Sequence, residues 1–355
     1  MTEERLRAVR AMLSEFGVDA LLVTSSENRF YLSGFTGTAG TLLIGQKKAV
    51  LLTDFRYTGQ AELQAPLFCV RRYKDDYHQV LAELIKEAGW SKIGYESKNL
   101  SCFDYSRFEE KISVQFIPLE ETAEKLRMEK SCQEQEIMRR GAEKLDLAFS
   151  WLLEVIKPGM SERELAVELE IFLLRQGSER PSFSYIVASG ERGSMPHGVA
   201  SAKPMCEGEM VTIDFGAFFE GYATDMTRTV ALKKVDQRQK DIYDIVYRAQ
   251  CEAVAAVKPG LTGKDIDSVA RGIITEAGYG EQFGHGLGHS IGLETHEPPA
   301  LNPKNNTTLQ PGMVVTVEPG IYIPGWGGIR IEDMVLVTES GAVRLTQSPR
   351  ELIII

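Results

Sequence analysis

Val211-Thr212-Ile213-Asp214-Phe215-Gly216 and, 104 residues later, Val315-Thr316-Val317-Glu318-Pro319-Gly320 read as two versions of one segment. Each is an apolar, β-branched run with an acid at its fourth position. Each is followed by a second acid just ahead of a methionine, Asp225 with Met226 and Glu332 with Met334. Asp214 and Asp225 bracket Gly216, Phe219, Glu220 and Gly221, which read as a hairpin connection. A two-residue turn at Phe219-Glu220 or at Glu220-Gly221 pairs residue 214 with 225 or with 227. In either register both acids project from one face, because side chains alternate along a strand. Glu318 and Glu332 bracket Pro324-Gly325-Trp326-Gly327-Gly328 in the same way.

Facing carboxylates buried among apolar neighbours repel and are costly to desolvate, and a divalent cation removes that penalty. Between the paired segments lies Gly284-His285-Gly286-Leu287-Gly288-His289, with His296 seven residues further on. Glycines at 284, 286, 288 and 292 argue against a helix. On a strand or loop, the even separation of His285 and His289 puts both on one face, toward the acids. Four carboxylates and one imidazole exceed the needs of a tetrahedral zinc. They suit two hard or borderline ions sharing bridging carboxylates and a bridging water or hydroxide. His197, in Met195-Pro196-His197-Gly198, lies ahead of this region. The sequence has no GxSxG elbow, no GxxxxGK[ST] phosphate loop and no dinucleotide fingerprint.

The repetition extends upstream. Lys157-Pro158-Gly159-Met160-Ser161 opens a helix closed near Gly177, and Lys258-Pro259-Gly260-Leu261-Thr262 opens one closed near Gly278, an offset of 101 at both ends. Ser161 with Glu164 makes a capping box, and Thr262 with Asp265 a weaker one. Leu165, Leu169 and Leu173 parallel Ile266, Ala270 and Ile274. The offset drifts from 104 (Asp214 to Glu318) to 107 (Asp225 to Glu332), which small loop insertions explain. A helix-plus-hairpin unit present twice implies a domain with approximate two-fold symmetry. Ahead of it, Met138, Ala142, Leu145, Phe149, Leu152 and Ile156 form the single apolar stripe of a long helix.

Residues 1–122 alternate helical and strand patterns. Ala20-Leu21-Leu22-Val23 is a short buried strand, and Thr41–Ile44 with Ala49–Leu52 makes a hairpin across Gly45-Gln46-Lys47-Lys48. The charged run from Glu120 to Lys130 reads as a solvated join. The expected architecture is therefore an α/β N-terminal domain over 1–122, followed by an α+β catalytic domain with internal pseudo-two-fold symmetry over 123–355.

The 355 residues are 43% hydrophobic and 25% charged with a net charge of -10, a soluble globular balance that argues against nucleic acid or an anionic membrane as partner. Five scattered cysteines without CxxC spacing read as small buried residues in a reducing compartment. With an acidic N-terminus lacking a signal pattern and no run long enough to span a bilayer, a cytoplasmic location is expected.

Five motifs, in order, resemble those of the pita-bread metallopeptidases, the group of methionine aminopeptidase, aminopeptidase P, prolidase and the metal-free creatinase. They are Val211–Gly216, Asp225-Met226-Thr227-Arg228, His285–His289, Val317-Glu318-Pro319-Gly320 and Arg330-Ile331-Glu332-Asp333. Tyr31-Leu32-Ser33-Gly34-Phe35-Thr36-Gly37 and Thr53-Asp54-Phe55-Arg56-Tyr57 look like the extra N-terminal domain of the aminopeptidase P and prolidase branch. The resemblance implies that Asp214, Asp225, His289, Glu318 and Glu332 hold two divalent metal ions, with Asp225 and Glu332 bridging. Manganese is the metal it implies, with cobalt, iron or zinc also supporting activity.

It also implies that His197, His285 and His296 surround the substrate, that Glu318 relays a proton, and that Arg330 orients a carboxylate or the substrate. The implied activity is hydrolysis of the Xaa-Pro bond at the N-terminus of proline-containing peptides by a homodimer. A dipeptidase acting on Xaa-Pro alone is the alternative, and a non-catalytic binding protein on the same fold a further one. A dipeptidase needs a cation for the substrate carboxylate. Between His296 and Glu318 the sequence offers only Lys304, then Arg330, which favours the aminopeptidase.

Overall fold

The computed structural model describes residues 2–355. It divides into two units, the first ending at Arg127 and the second spanning Met128–Ile355, where the sequence reading placed the join at 122/123. The first unit is a six-stranded mixed sheet in the order Cys69–Arg72, Ala49–Thr53, Thr41–Gly45, Ala20–Val23, Lys92–Glu96, Gln115–Leu119. The expected hairpin is present, with Leu43 opposite Val50 and Ile44 opposite Ala49. Leu22, Leu43, Leu81, Ile93 and Phe108 close its core against the helices Tyr77–Ala88 and Cys102–Lys111.

The second unit opens with the helix Cys132–Val155, which buries the predicted stripe from Met138 to Leu152 and is capped by the Ser131–Glu134 box. The repeated halves follow. In the first, the helix Glu162–Arg175 packs on a three-stranded sheet of Ile186–Ser189, Met210–Phe215 and Met226–Ala231. In the second, the helix Gly263–Glu276 packs on a five-stranded sheet that includes Gly288–Ser290, Val314–Val317 and Asp333–Val337. Both predicted capping boxes form, the Thr262–Asp265 one with both of its bonds. Each half has its own core, around Leu165, Leu169, Val211 and Ile213 in one and Ile266, Ala270, Val315 and Val317 in the other.

The hairpin registers refine the repeat. Asp214 lies opposite Thr227, and Phe219 opposite Tyr222, so the turn is Glu220-Gly221. Both turn residues have positive φ, 50° and 81°, as a twisted two-residue turn requires. In the second half, Val317 lies opposite Asp333 and Gly320 opposite Arg330, which sets Glu318 against Glu332. The register counterpart of Glu332 is therefore Thr227, and that of Asp225 is Arg330. One extra turn residue accounts for a single step of the drift. The remaining two steps arise because Asp225 sits two residues nearer the turn than Glu332 does.

Two expectations fail, one of them in part. Four of the five cysteines are exposed and the fifth is half-buried, because Cys69 lies on an edge strand, Cys102 and Cys132 begin helices and Cys206 is in a loop. The charged run does contain the division between the units, but it is only partly solvated. Arg127 is buried and bonds Asn28 at 2.8 Å, and Lys130 is buried against Glu297 at 3.0 Å.

Behind the paired acids, Arg228 and Asp333 form an ion pair at 2.7 Å with side chains 1% and 0% accessible. Arg228 also donates to the carbonyls of Thr227, Glu332, Ser348 and Pro349, tying the C-terminal segment to both hairpins. Arg228→Met takes the nearest cation from buried Asp333, which keeps only the longer ion pairs to Arg344 at 3.4 Å and Arg350 at 3.9 Å. It also removes a donor from four carbonyls and is expected to cost about 3 kcal/mol. Urea unfolding measures this.

Candidate metal centre

The two hairpins meet edge to edge. Glu332 donates its backbone N–H to the Thr227 carbonyl at 3.0 Å, and Thr229 Oγ1 donates to the Arg330 carbonyl at 2.9 Å. Gly216 and Gly288 permit close backbone approaches within the first and second half respectively. A Cβ on Gly216 would lie 1.9 Å from the Thr224 carbonyl oxygen, and one on Gly288 would lie 2.1 Å from that of Thr316. At the seam opens a cavity of about 510 Å³ lined by Asp214, Asp225, His289, Glu318 and Glu332. His197, His285, His296 and Arg330 line it too, so every residue singled out from the sequence reaches one cavity.

Their distances within it differ. One ligand atom each of Asp225, His289 and Glu332 lie within 4.8 Å of one another. His289 Nε2 stands 3.6 Å from Glu318 Oε1 and 3.8 Å from Asp225 Oδ2. Asp214 is gripped by Arg330 at 2.6 Å. His285 reaches the same cavity as His289 and the acids. There it bonds the Tyr322 hydroxyl at 2.9 Å. His296 lies beside His289 with the rings tilted by 51° and their centroids 4.3 Å apart, while His197 is exposed.

The electrostatics are those of a site built for cations. Asp214 Oδ1, Asp225 Oδ1 and Glu332 Oε1 are buried with no hydrogen-bond partner among the described residues. Buried carboxylate oxygens are seldom left so, and three together mark where positive charge belongs. Burial and then the neighbouring acids push the Asp225 and Glu332 carboxyls well above the ordinary carboxylate range. Burial raises Glu318 to about 8 against the pull of Arg330.

Burial also lowers His285 and His289 to about 4, so both rings are neutral near pH 7. His289 Nδ1 lies 3.0 Å from the Ser290 carbonyl, which can only accept, so the proton sits on Nδ1 and Nε2 turns a lone pair to the acids. The donor set, its unpartnered oxygens and this tautomer fit divalent metal ions.

Sequence reasoning missed three residues that hold the site. Tyr322 donates to His285 and accepts from Arg330 at 2.9 Å. Thr227 donates to Glu332 Oε2 at 2.7 Å and accepts from Arg330 Nε at 3.2 Å. Thr316 accepts from the His289 backbone N–H at 3.1 Å. Alternation could have flagged them, since Tyr322, Thr227 and Thr316 each lie an even number of residues from an acid. Arg330 acts on the carboxylate of Asp214, the first of the two partners the resemblance allowed.

Fold and site together define a hydrolase of the pita-bread metallopeptidase class, a creatinase-type α/β unit followed by a duplicated catalytic unit. The chain belongs to metallopeptidase family M24, whose model matches residues 136–339, and the creatinase/prolidase N-terminal domain matches residues 5–129. It is 46% identical to a solved Xaa-Pro dipeptidase from Bacillus anthracis, with TM-score 0.99 and full coverage of both chains. A curated Xaa-Pro dipeptidase of Pyrococcus furiosus is 39% identical over 99% of this chain and 100% of its own length. A solved X-Pro aminopeptidase from Thermotoga maritima is also 39% identical, with TM-score 0.90 over 96% of this chain and 98% of its own. No helix among the described residues is long and apolar enough to cross a membrane.

The pH dependence of metal-free stability follows from these shifts. Carboxyls raised in the fold keep their protons while unfolded ones lose theirs, so they withdraw stability as pH rises from about 4.5 to about 8. Imidazoles lowered from 6.5 to about 4 act oppositely, adding stability as pH rises across that interval. Between about pH 6.5 and 8 only the carboxyl effect remains. The metal-free protein is therefore expected to lose thermal stability over that window, and saturating Mn²⁺ to restore it more strongly at pH 8 than at 6.5. Differential scanning calorimetry at fixed ionic strength checks both.

Proposed function

We propose that this metallopeptidase is an Xaa-Pro aminopeptidase, removing the residue that precedes proline from the N-terminus of peptides. One observation carries the choice. Arg330 is the one arginine or lysine lining the cavity among the described residues, and it is committed to Asp214, Tyr322 and the Pro196 carbonyl. A dipeptide would bring its C-terminal carboxylate into this cavity with no free guanidinium or ammonium to meet it, whereas a longer peptide carries that charge away. The Xaa-Pro dipeptidase reading is favoured instead by the names of the relatives at 46% and 39% identity.

Asp214, Asp225, His289, Glu318 and Glu332 are the residues we assign to two divalent ions, manganese by preference. When bound, these ions supply Lewis-acid polarisation of the scissile carbonyl and a water ionisable near neutral pH. The protein's own residues do the rest. Glu318 has the most accessible side chain of the acids that frame the cavity, 19% against 11% for Asp214 and 6% for Asp225, and it takes the proton of the attacking water. The nitrogen of an Xaa-Pro bond has no N–H and must be protonated to leave, which Glu318 can do.

The Arg330–Tyr322–His285 chain holds His285 Nε2 as an acceptor and keeps Asp214 oriented. His197 and His296 flank the substrate from the open side. Two such chains pair as a homodimer in this reading, and the cytoplasm suits the five unpaired cysteines.

The full-length protein, loaded with Mn²⁺, is to be assayed on Xaa-Pro and on Xaa-Pro-Yaa-Zaa. Turnover of the longer peptide is expected, and turnover of the dipeptide alone would overturn the aminopeptidase reading. Elemental analysis is expected to find two ions per chain. Asp225→Ala is expected to lower the metal content and to cut kcat/KM by more than about a hundredfold.

A further inference from the structure

His197 lines the acid cavity, yet its imidazole has no hydrogen-bond or ion-pair partner among the described residues. His289 differs, since the Ser290 carbonyl fixes its ring. Where His197 stands is therefore set by its backbone. That backbone belongs to a loop running from Ser189, the end of the strand Ile186–Ser189, to Ser201. The loop is a short 3₁₀ helix over Gly190–Ser194 followed by irregular chain. A loop places a functional group only as well as the scaffold that holds it.

One buried carboxylate holds both ends of this loop. Glu162, at the first position of the helix Glu162–Arg175, has a side chain 0% accessible. Its Oε1 accepts from the backbone N–H and the hydroxyl of Ser189, both at 2.8 Å. Its Oε2 accepts from the backbone N–H of Ser201 at 3.1 Å and from that residue's hydroxyl at 2.6 Å. Arg192 donates to the same Oε2 and reaches across the loop to the Val199 carbonyl at 2.8 Å. These donors saturate the lone pairs of a carboxylate. The helix presents the acid rigidly, because the N–H groups of Glu162 and Arg163 donate to the Lys203 and Ser201 carbonyls at 3.1 and 2.8 Å. On its other side the loop abuts the second half of the repeat. A Cβ on Gly193 would lie 2.9 Å from the Gly328 nitrogen, and Arg330 donates to the Pro196 carbonyl at 3.3 Å.

We infer that Glu162 is the positioning residue for His197: it closes the loop that carries the imidazole to the cavity, without itself touching substrate. This rests on the reading that His197 flanks the substrate. Glu162→Gln is nearly isosteric, but its amide nitrogen is a donor facing donors, so one end of the loop is released. The imidazole then occupies its working position for less of the time. A misplacement of the order of 1 Å is enough to cost about a hundredfold in rate.

The test is a double-mutant cycle on the full-length, Mn²⁺-loaded protein, with whichever of Xaa-Pro and Xaa-Pro-Yaa-Zaa it turns over. His197→Ala is expected to lower kcat/KM by about a hundredfold, and Glu162→Gln by about tenfold with the metal content unchanged. In the His197→Ala background, Glu162→Gln is expected to cost nothing further. Ser161→Ala, which removes the cap of the same helix, is expected to lower the melting temperature and to keep kcat/KM. In the metal-free protein, amide hydrogen exchange over residues 189–201 is expected to quicken in Glu162→Gln and not in Ser161→Ala. Equal losses from Glu162→Gln with and without His197, no loss at all, or unchanged exchange would overturn the positioning role and leave His197 at the substrate. Full activity in His197→Ala would overturn that placement and the inference with it. Should Glu162→Gln fail to fold, Arg192→Met decides by the same cycle, since it frees the Val199 carbonyl from a side chain 24% accessible. Its loss of about threefold is expected only where His197 is present.

Discussion

Carboxylates held out of water with too little positive charge beside them are the constraint on which this protein is built. Asp214, Asp225 and Glu332 are each less than a tenth exposed. Arg330 is the one permanent cation lining their cavity among the described residues. Their unpartnered oxygens cannot be satisfied by rearrangement, because Asp214 lies within a strand and Asp225 and Glu332 each sit in a two-residue break held between paired strands. Desolvation then leaves two outcomes, protonation or a bound cation. A metallopeptidase uses the second, and the cluster is poised to release protons as ions enter.

The frame that keeps such a cluster from relaxing is rigid and redundant. Arg330 spans the cavity to Asp214, Tyr322 and Thr227, while Thr227 in turn holds Glu332. Behind them Arg228 and Asp333 lock both hairpins to the C-terminal segment. On another side the loop leading to His296 is anchored by Glu297, which accepts from the Leu293 N–H and pairs with buried Lys130. Hydrogen-bonded networks of this kind are worth most when complete, and here they surround three carboxylate oxygens left without a partner among the described residues.

Duplication explains how the site arose and also why it is lopsided. The two halves meet along hairpin edges, which places acids from both at one seam. Yet register puts Thr227 where the second half has Glu332, and Arg330 where the first half has Asp225. His289 has no partner in the first half at all. Strict two-fold symmetry would have placed four acids in a ring with no cation. The exchange of one acid position for a guanidinium supplies the charge that holds Asp214, and it makes the two sides of the site unequal.

Much of this was legible in the chain because it depends on local periodicity. The acids stand out as polar residues interrupting β-branched runs, the caps Ser161–Glu164 and Thr262–Asp265 announce equivalent helices, and the glycines around His289 exclude a helix. Alternation made Asp214 and Asp225 share a face whichever turn was chosen. What alternation could not decide was register, hence the identity of the residue facing each acid, because a two-residue and a three-residue turn shift the strands differently. Nor could it show that Lys130 is buried or that the cysteines are exposed, since burial depends on what packs against a segment from elsewhere. The sequence by itself determined the fold class, the duplication and the residues that gather at the seam. Only the tertiary structure decided that Arg330 belongs to Asp214 across 116 residues and that Tyr322 and Thr227 complete the site. Contacts between distant segments are set by packing, which no local pattern encodes.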